Sequence, residues 1–420
     1  MSPGTLYPHK APAVGNLAVG ELLGAGGQGE VYRATDEKGV DHALKWFRPN
    51  TIKESAGLKE RLGRLIAAGA PSQSFLWPER LVHGDDGSFG YLMPLRAPEY
   101  VELGDFFCID LSPEAWFRSN SAKVTAALGI ACSINALHDR GLCYSDINEG
   151  SFYAHPHTGH ILVGDNDNIV DEGMDAGVRG KVRYMAPEVA AGGTPDRSSD
   201  NFSLAVILYR IFCTDHPFEG ALTSSRTLLT PGDELCGYGA GAVFCHDADD
   251  NSNAPTPEGQ PNSLFFWPAL PEILRDAFRK ALSRKAILNP EARMSAAEWV
   301  GILRRVRDAV CTCSAAAPVH DFFTDGKNPR KCPLCGAPVK SYPALTFGDG
   351  TKVWLHPGKL IYEPGTDTPI GICSMSNVAG RGVTAVIAPV DPDDPDGFFR
   401  VPVPGKKINI AGRVAAVTEE

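Results

Sequence analysis

The sequence predicts an α+β fold in which a small N-terminal sheet precedes a mainly helical region, a cysteine-rich segment and a small all-β segment. Residues 17–47 alternate apolar and polar side chains around glycine-rich turns, as the strands of a sheet do. Residues 51–70, 121–138 and 271–285 repeat apolar residues at helical spacing, which indicates core-facing helices. Short β-like runs separated by Gly, Pro and Asp fill residues 341–420.

Composition bounds the partners and the compartment. The 420 residues are too many for one compact core, so we expect two or three domains. With 40 basic and 50 acidic residues the net charge is −10, which argues against a nucleic-acid partner. The longest apolar run, residues 202–213, is too short to span a bilayer, and residues 1–10 carry no secretory signal. The eleven cysteines, mostly scattered singly, predict free thiols in a reducing cytoplasm.

A glycine-rich loop opens the first predicted sheet. Gly24, Gly26 and Gly29 form G-x-G-x-x-G, and Val31 and Lys45 follow. Such a loop can close over phosphates because glycine has no Cβ in the way. Val31 can cover an adenine ring, and Lys45 can return on a neighbouring strand to pair with phosphates. This motif alone occurs in many folds, so the elements further along the chain decide its meaning.

Acidic residues at three later points extend the pattern. Glu60 on the first predicted helix could form an ion pair with the lysine of the first sheet, and Glu54 is the weaker candidate. Asp146 stands in Y-S-D-I-N-E, where a carboxylate could accept or orient a hydroxyl proton. Asp165 opens D-N-D-N after the apolar run I-L-V, and Asp167 is the alternative if the strand register is shifted by two.

Two further motifs complete a family resemblance. G-K-V-R-Y-M-A-P-E at residues 180–188 resembles the end of a kinase activation segment, and Asp200 stands where the family buries an aspartate in its central helix. Arg293 matches the late arginine that pairs with the glutamate of A-P-E, here Glu188. Over residues 15–310 the ordered motifs resemble the eukaryotic-like (Hanks-type) serine/threonine protein kinases of bacteria.

The resemblance assigns roles to individual residues. Asp146 would orient the substrate hydroxyl, while Lys45, braced by Glu60, would hold the ATP phosphates. Asp165 would hold Mg²⁺, with Ser151 as a second ligand. The other expected ATP contacts are Gly24, Gly26, Gly29, Val31 and, near the gatekeeper position, Met93. The reaction implied is transfer of the ATP γ-phosphate to Ser or Thr hydroxyls of a protein substrate.

The predicted catalytic loop departs from the family pattern. Ser145 replaces the arginine that reads an activation-segment phosphate, and residues 166–183 contain no Ser, Thr or Tyr, so we expect no switching by phosphorylation there. Ser151 replaces a Mg²⁺-binding asparagine, and Asn148 replaces a lysine that neutralises the transferring phosphate. We expect Lys181 to supply that charge from across the site. The alternative is a pseudokinase, a nucleotide-binding scaffold that docks partner proteins without phosphotransfer.

A cysteine cluster follows the last predicted helix. Its C-P-L-C-G is a zinc-knuckle turn, in which glycine lets backbone amides face the thiolates. Cys313, His320, Cys332 and Cys335 predict a closed tetrahedral site for structural Zn²⁺. Cys311 is the substitute ligand if His320 is only a surface residue.

These assignments define a bilobal protein-kinase fold with a C-terminal zinc-knuckle segment and a small all-β domain. The expected segments are an N-terminal extension (1–16), the N-lobe of five strands and one helix (17–97), the C-lobe (98–310) with a long loop insertion (221–263), a zinc-binding module (311–340) and a small β-rich interaction domain (341–420).

A narrower resemblance concerns partners. The motifs Y-S-D-I-N-E, D-N-D-N and G-A-V-F-C-H-D-A-D-D-N-S-N are similar to those of the kinase in the TerY–phosphatase–kinase phosphorylation triad. This similarity implies a TerY-like von Willebrand factor A-type protein as substrate and a counteracting metal-dependent protein phosphatase. The setting implied is a phosphorylation-based signalling or stress-response system.

Overall fold

The structure is a computed structural model of the chain. It describes residues 12, 16–49, 51, 57–84, 86–108, 116–174, 177, 180–224, 230–313, 320–325, 331–339, 344–347, 352–355, 359–363, 365–377, 383–388, 399–400, 407–410 and 413–418. Within these residues, no helix has the length and apolar character that a membrane span requires.

The N-terminal lobe is an antiparallel sheet with a helix packed on it. Its strands are Ala18–Ala25 (β1), Gly29–Thr35 (β2), Asp41–Phe47 (β3), Arg80–His83 (β4) and Phe89–Pro94 (β5). They lie in the order β1-β2-β3-β5-β4. Helix α1, Leu58–Ala68, packs Leu58 and Leu62 against Phe47 and Tyr91 of the sheet. The described residues of this lobe therefore contain the predicted five strands and the predicted helix.

The C-terminal lobe is mainly helical. Its described helices are Asn120–His138 (α2), Pro187–Ala190 (α3), Arg197–Cys213 (α4), Ala221–Ser224 (α5), Pro231–Tyr238 (α6), Pro261–Phe266 (α7), Glu272–Ala281 (α8), Arg284–Leu288 (α9) and Ala296–Asp308 (α10). Helix α4 is the centre of this lobe, because every side chain from Leu204 to Leu208 is buried. Helices α2 and α8 fall where the apolar periodicity predicts them.

Short strands and turns position the loops between the lobes. The strands are Val101–Glu102 (β6), Leu142–Cys143 (β7), Phe152–Ala154 (β8), Ile161–Val163 (β9) and Val170–Asp171 (β10). β6, β8 and β9 form one small sheet, and β7 pairs with β10 in another. The loop that carries Asp146 joins β7 to β8, and the D-N-D-N turn joins β9 to β10. Both loops therefore emerge next to each other, below the N-terminal sheet.

The segment 221–263, predicted as a long loop, is partly helical. It contains α5 and α6, and α7 begins near its end. Thr230 accepts a hydrogen bond from the Asp233 N–H while the Asp233 side chain accepts one from the Thr230 N–H, a capping box that starts α6. Gly and Pro are frequent here, but the local caps outweigh their low helix propensity over these short stretches.

The end of the predicted activation segment is joined to the last part of the C-terminal lobe by an ion pair. The Arg293 guanidinium donates two hydrogen bonds to the Glu188 carboxylate, at 2.5 and 2.8 Å. Arg293 also donates to the carbonyls of Ala286, Ser198 and Ile287. The pair predicted from the sequence is thus formed, with the arginine side chain buried.

The cysteine-rich segment is anchored to the start of α2. Strands Val310–Cys313 (β11) and His320–Phe323 (β12) form a hairpin in which Cys313 lies opposite His320. Asp321 accepts hydrogen bonds from the backbone N–H groups of Asn120 at 2.6 Å and Ser121 at 2.7 Å. A carboxylate at a helix N-terminus satisfies free N–H groups and complements the helix dipole.

The remaining strands form two antiparallel sheets. Their bounds are Ala344–Phe347 (β13), Lys352–Trp354 (β14), Leu360–Tyr362 (β15), Pro369–Asn377 (β16), Val383–Ala388 (β17), Phe399–Arg400 (β18), Lys407–Ile410 (β19) and Arg413–Thr418 (β20). The orders are β14-β13-β20-β19 and β15-β16-β17-β18. Asp367, just before β16, accepts hydrogen bonds from Arg304 at 2.6 Å and Arg307 at 2.8 Å, which ties this region to α10.

We expect Arg293→Met to lower the free energy of unfolding by about 3 kcal/mol, because it leaves the Glu188 carboxylate without its buried partner. Urea denaturation measures this. The matched control is Lys280→Met, which removes an exposed ion pair with Glu298 and should change stability by less than about 1 kcal/mol. Equal losses in the two variants would contradict the structural role of the buried pair.

Candidate active site

The glycine-rich loop connects β1 to β2 at the edge of the cleft. A Cβ at Gly29 would lie 2.3 Å from the Trp46 carbonyl oxygen, so only glycine allows β2 to run this close to β3. Gly24 and Gly26 have open space where a Cβ would stand, and the Gly26 N–H donates to the Gly29 carbonyl at 2.9 Å. The loop thus leaves open space beside Gly24 and Gly26.

Apolar side chains continue the cleft beneath this loop. Met93 is buried and lies opposite Ala43 in the pairing of β5 with β3. Val31 packs against the same apolar cluster. Tyr153 and Leu162, which the sequence analysis did not single out, pack against it from β8 and β9. Both residues lie in strands of three residues, and the alternation of inward and outward side chains there is the only sequence signal that could have predicted their place in the cluster.

Lys45 is the central cation of the cleft. Its ammonium lies 2.7 Å from Asp167 Oδ1 and 3.1 Å from Asp165 Oδ1. Burial opposes the charged form, but the attraction of Asp167 and Asp165 outweighs it and raises the pKa of Lys45. Lys45 therefore remains an ammonium, the form that can pair with anions.

The two aspartates of D-N-D-N differ in environment. Asp167 is buried, and its Oδ1 also accepts a hydrogen bond from the Tyr91 hydroxyl at 2.9 Å. Asp165 adopts a left-handed backbone conformation, with φ 44°, and its side chain is 48% exposed. Asp167 is thus enclosed, with its Oδ1 paired and its Oδ2 without a hydrogen-bond partner among the described residues, whereas the Asp165 carboxylate faces the open cleft.

The structure does not place Glu60 beside Lys45. Glu60 lies on the exposed side of α1, whose buried face carries Leu58, Arg61 and Leu62. A helix turns 100° per residue, so Glu60 and Arg61 point in different directions. The ion pair expected for Lys45 with Glu60 is therefore replaced by the pair with Asp167. Glu54, the weaker candidate, lies outside the described residues.

Arg61 takes the inward position on α1. Its guanidinium donates to the Asp167 carbonyl oxygen from Nε at 3.1 Å and from Nη2 at 3.0 Å. The helix is thereby held against the D-N-D-N turn through the backbone. The sequence analysis missed this residue, because an arginine on an apolar stripe resembles a solvated helix position.

Gln28, at the tip of the glycine-rich loop, also reaches this turn. Its Nε2 donates to Asn168 Oδ1 at 3.0 Å, and its Oε1 accepts from Lys45 at 3.5 Å. These contacts hold the glycine-rich loop against Lys45 and the D-N-D-N turn.

Asp146 lies in the loop between β7 and β8. Burial raises its pKa to about 6; the hydrogen bond from Asn148 opposes this, nearby Asp165 adds to it, and Lys181 again opposes it. Asn148 Nδ2 donates to Asp146 Oδ1 at 2.8 Å. A Cβ at Gly180 would lie 2.9 Å from that oxygen, so glycine lets the activation segment approach Asp146 closely.

Two departures in this loop, Asn148 and Ser151, hold Asp146 in place, whereas the Ser145 hydroxyl is buried without a hydrogen-bond partner among the described residues. Ser151 Oγ donates to the Asp146 carbonyl at 2.9 Å, and only its lone pairs remain for contact with a metal. Ser145 has a left-handed backbone, with φ 70°. Its N–H and that of Tyr144 donate to the carboxylate of Asp200, at 3.0 and 2.7 Å. Asp200 therefore holds the loop from the central helix, as the resemblance implies.

Lys181 lies across the loop from Asp146. Its ammonium forms an ion pair with Glu149 at 3.2 Å and is about half exposed. Its charge and its backbone N–H both lower the pKa of Asp146. Lys181 therefore places a positive charge near Asp146, where Asn148 has replaced the lysine of the family pattern.

The predicted zinc ligands come together in a separate cluster. The ligand atoms of Cys313, His320, Cys332 and Cys335 all lie within 4.8 Å of one another. Their donor set of three sulfurs and one nitrogen fits a tetrahedral structural Zn²⁺ site. Cys311, the substitute ligand, is buried outside this group, and burial raises its pKa to about 12.

The fold and the grouping of Lys45, Asp146 and Asp165 fit the protein-kinase class, and comparison with known proteins agrees. No protein-family model matches the chain. The chain is 25% identical over 351 residues to Protein kinase YegI of Escherichia coli O157:H7, which covers 79% of the chain and 50% of YegI. It is 30% identical over 241 residues to the DNA damage-responsive serine/threonine-protein kinase RqkA of Deinococcus radiodurans, covering 52% of the chain and 32% of RqkA.

A third relative is the probable serine/threonine-protein kinase PknB of Bifidobacterium longum, 26% identical over 223 residues, 50% of the chain and 32% of that protein. The chain spans about half the length of the YegI kinases. These relatives support the Hanks-type kinase resemblance on which the site residues were chosen.

We expect the purified chain to carry about one Zn²⁺, because the four ligands form a closed site. Metal analysis by inductively coupled plasma mass spectrometry measures this. Cys332→Ser should lose the metal and lower the melting temperature, whereas Cys311→Ser should keep the metal. Loss of zinc from both variants, or none in the wild type, would contradict the assigned ligand set.

Proposed function

We propose that this protein is a protein kinase that transfers the ATP γ-phosphoryl group to Ser or Thr hydroxyls of a partner protein. The observation that carries the proposal is the convergence of Lys45, Asp165 and Asp146 in one cleft: Lys45 lies 3.1 Å from Asp165, whose charge also raises the pKa of Asp146. Phosphoryl transfer depends mainly on positioning and electrostatic stabilisation, and these three groups supply both.

ATP would bind between the glycine-rich loop and the apolar floor. Gly24, Gly26 and Gly29 would cover the phosphates, and Lys45 would pair with them. The adenine would lie between Val31 and Tyr153, near Met93, because these side chains belong to one apolar cluster at the back of the cleft. An apolar slot with a cation at one end suits a nucleotide.

The metal site would be built on Asp165. Its half-exposed carboxylate is a hard oxygen ligand of the kind that Mg²⁺ prefers, and the buried Ser151 hydroxyl could add its lone pairs. Bound Mg²⁺ would neutralise charge on the β- and γ-phosphates. Asp167 has another task in this proposal, since its Oδ1 is already paired with Lys45 and Tyr91.

Asp146 would accept or orient the proton of the substrate hydroxyl. Asn148 fixes the position of its carboxylate, and Ser151 fixes its backbone. Lys181 would then provide positive charge near the transferring phosphoryl group. The substitutions in this loop thus keep the aspartate oriented, which supports phosphotransfer over a purely scaffolding role.

We further propose the partners implied by the narrower resemblance. A TerY-like von Willebrand factor A-type protein would be the substrate, and a metal-dependent phosphatase would reverse the modification, within a signalling or stress-response system. The zinc module (311–340) and the β-rich segment (341–420) would serve as interaction surfaces. None of the eleven cysteines forms a disulfide, which supports work in a reducing cytoplasm.

The test of this function is transfer from γ-labelled Mg²⁺-ATP to the purified zinc-loaded chain and to a TerY-like partner. We expect the wild type to label itself or the partner. The rate of transfer should be at least about 10³-fold lower in Asp146→Ala. Asp139→Ala, in which the lost carboxylate is exposed on the neighbouring turn, is the control. Tight ATP binding without transfer in any variant would instead indicate the pseudokinase scaffold.

We expect the transfer rate to fall as the pH drops through about 6, because protonated Asp146 cannot accept a proton. Asn148→Ala removes a hydrogen bond that favours the carboxylate, so the pKa rises and the acidic limb moves to higher pH. Rate–pH profiles at saturating ATP measure the shift. Asn135→Ala is the control, and identical profiles for Asn148→Ala and wild type would contradict this role of Asp146.

We expect Lys181→Ala to slow transfer by about tenfold through loss of positive charge at the site. Lys181→Arg should retain most of the rate, and Lys285→Ala, which removes an exposed lysine from α9, should leave it unchanged. Single-turnover rates with labelled ATP measure the effect. A wild-type rate in Lys181→Ala would rule out compensation by this lysine.

A further inference from the structure

A cavity of about 480 Å³ lies where the C-terminal lobe meets the cysteine cluster. Its described walls share no residue with the candidate active site. Phe106, Ile211 and Phe266 form much of the apolar lining, and Leu334 of the zinc knuckle closes one side. Cavities of roughly 300–1,000 Å³ hold small organic ligands, so this one is large enough for a ligand of that class.

Lys123 is the half-buried cation that lines this cavity. It projects from the first turn of α2, and its ammonium lies 4.0 Å from the centre of the Phe266 ring. Within the described residues, its ammonium makes no hydrogen bond and has no carboxylate within ion-pair distance. Burial, partly offset by Cys213 and Asp321, lowers the pKa of Lys123 to about 8.

The described lining of the cavity gives Lys123 no free carboxylate. Asp321 is the carboxylate among its described lining residues, and both of its oxygens accept N–H groups at the start of α2. A lysine in the first turn of a helix is also disfavoured by the helix dipole. Arg118, an exposed residue, adds a second positive charge at the rim. The Phe266 ring stabilises this half-buried ammonium in part, and an anion that joins it would supply the missing counter-charge.

We propose that this cavity binds a small organic monoanion, a carboxylate on an apolar chain or ring, with the carboxylate at Lys123 and the apolar body among the phenylalanines. Lys123 is the ammonium inside the described part of the cavity, while Arg118 is exposed at the rim, so the interior matches a single negative charge, whereas a phosphate monoester carries nearly two. The ligand contacts the knuckle residue Leu334, so it bridges the kinase-like lobe and the zinc module.

A neighbouring cavity extends the space available to the apolar body. It measures about 230 Å³ and shares Asn120, Phe266, His320 and Leu334 with the first. Phe212 and Leu270 add to its apolar walls. A ligand with a longer chain can therefore continue from Lys123 past Phe266 along the knuckle.

Isothermal titration calorimetry with octanoate tests the proposal on the full zinc-loaded chain. We expect saturable binding at one site, weakened by about tenfold or more in Lys123→Met and retained in Lys123→Arg. Lys280→Met, an exposed lysine on α8, is the matched control and should bind as wild type does. Melting curves check that each variant is folded.

1-Octanol has an apolar chain like that of octanoate but no negative charge, so it tests how much of the affinity depends on the carboxylate. It should bind the wild type more weakly than octanoate does, and its affinity should be the same in Lys123→Met. Three results would overturn the proposal: no saturable octanoate binding to the wild type, equal octanoate affinity in folded Lys123→Met, or octanol binding as tightly as octanoate.

Discussion

The buried ion pair between Lys45 and Asp167 is the interaction on which the rest of the site depends. The two side chains are 7% and 1% exposed, and their charged atoms are 2.7 Å apart. Removing two charges from water is costly, and it is tolerated here because each has further partners. Tyr91 donates to Asp167, and Asp165 adds a second carboxylate beside the lysine. Loss of Lys45 would leave the buried Asp167 carboxylate with only the Tyr91 hydroxyl among its described side-chain partners, and loss of Asp167 would leave Lys45 with the half-exposed Asp165.

This pair joins the two lobes. Lys45 and Tyr91 belong to the N-terminal sheet, whereas Asp167 belongs to a turn of the C-terminal lobe. Arg61 of α1 and Gln28 of the glycine-rich loop contact the same turn. The family resemblance implied a lysine braced from within its own lobe by a helix glutamate. In this chain the brace comes from the opposite lobe, so the contacts that fix the lysine also join the lobes.

The sequence predicted much of this arrangement where the signal was local. The zinc ligands come together as the knuckle spacing indicates, and Arg293 meets Glu188 as the motifs imply. Glu60 was wrongly predicted to face the sheet. The apolar periodicity does not fix the rotation of the helix to within one residue, and a shift of one residue turns Arg61 inward instead of Glu60. The pairing of Asp167 with Lys45 joins residues 122 positions apart, and the sequence pattern alone does not say which aspartate of D-N-D-N meets the lysine.

The contrast between Asp167 and Glu60 gives the most direct test of this account. We would measure the single-turnover rate of phosphoryl transfer from labelled Mg²⁺-ATP in Asp167→Asn and Glu60→Gln, with ATP affinity and melting temperature determined for each. The account predicts that Asp167→Asn loses about 10²-fold or more in rate while remaining folded, and that Glu60→Gln transfers as wild type does. A large loss in Glu60→Gln with little change in Asp167→Asn would show that the helix glutamate braces the lysine after all.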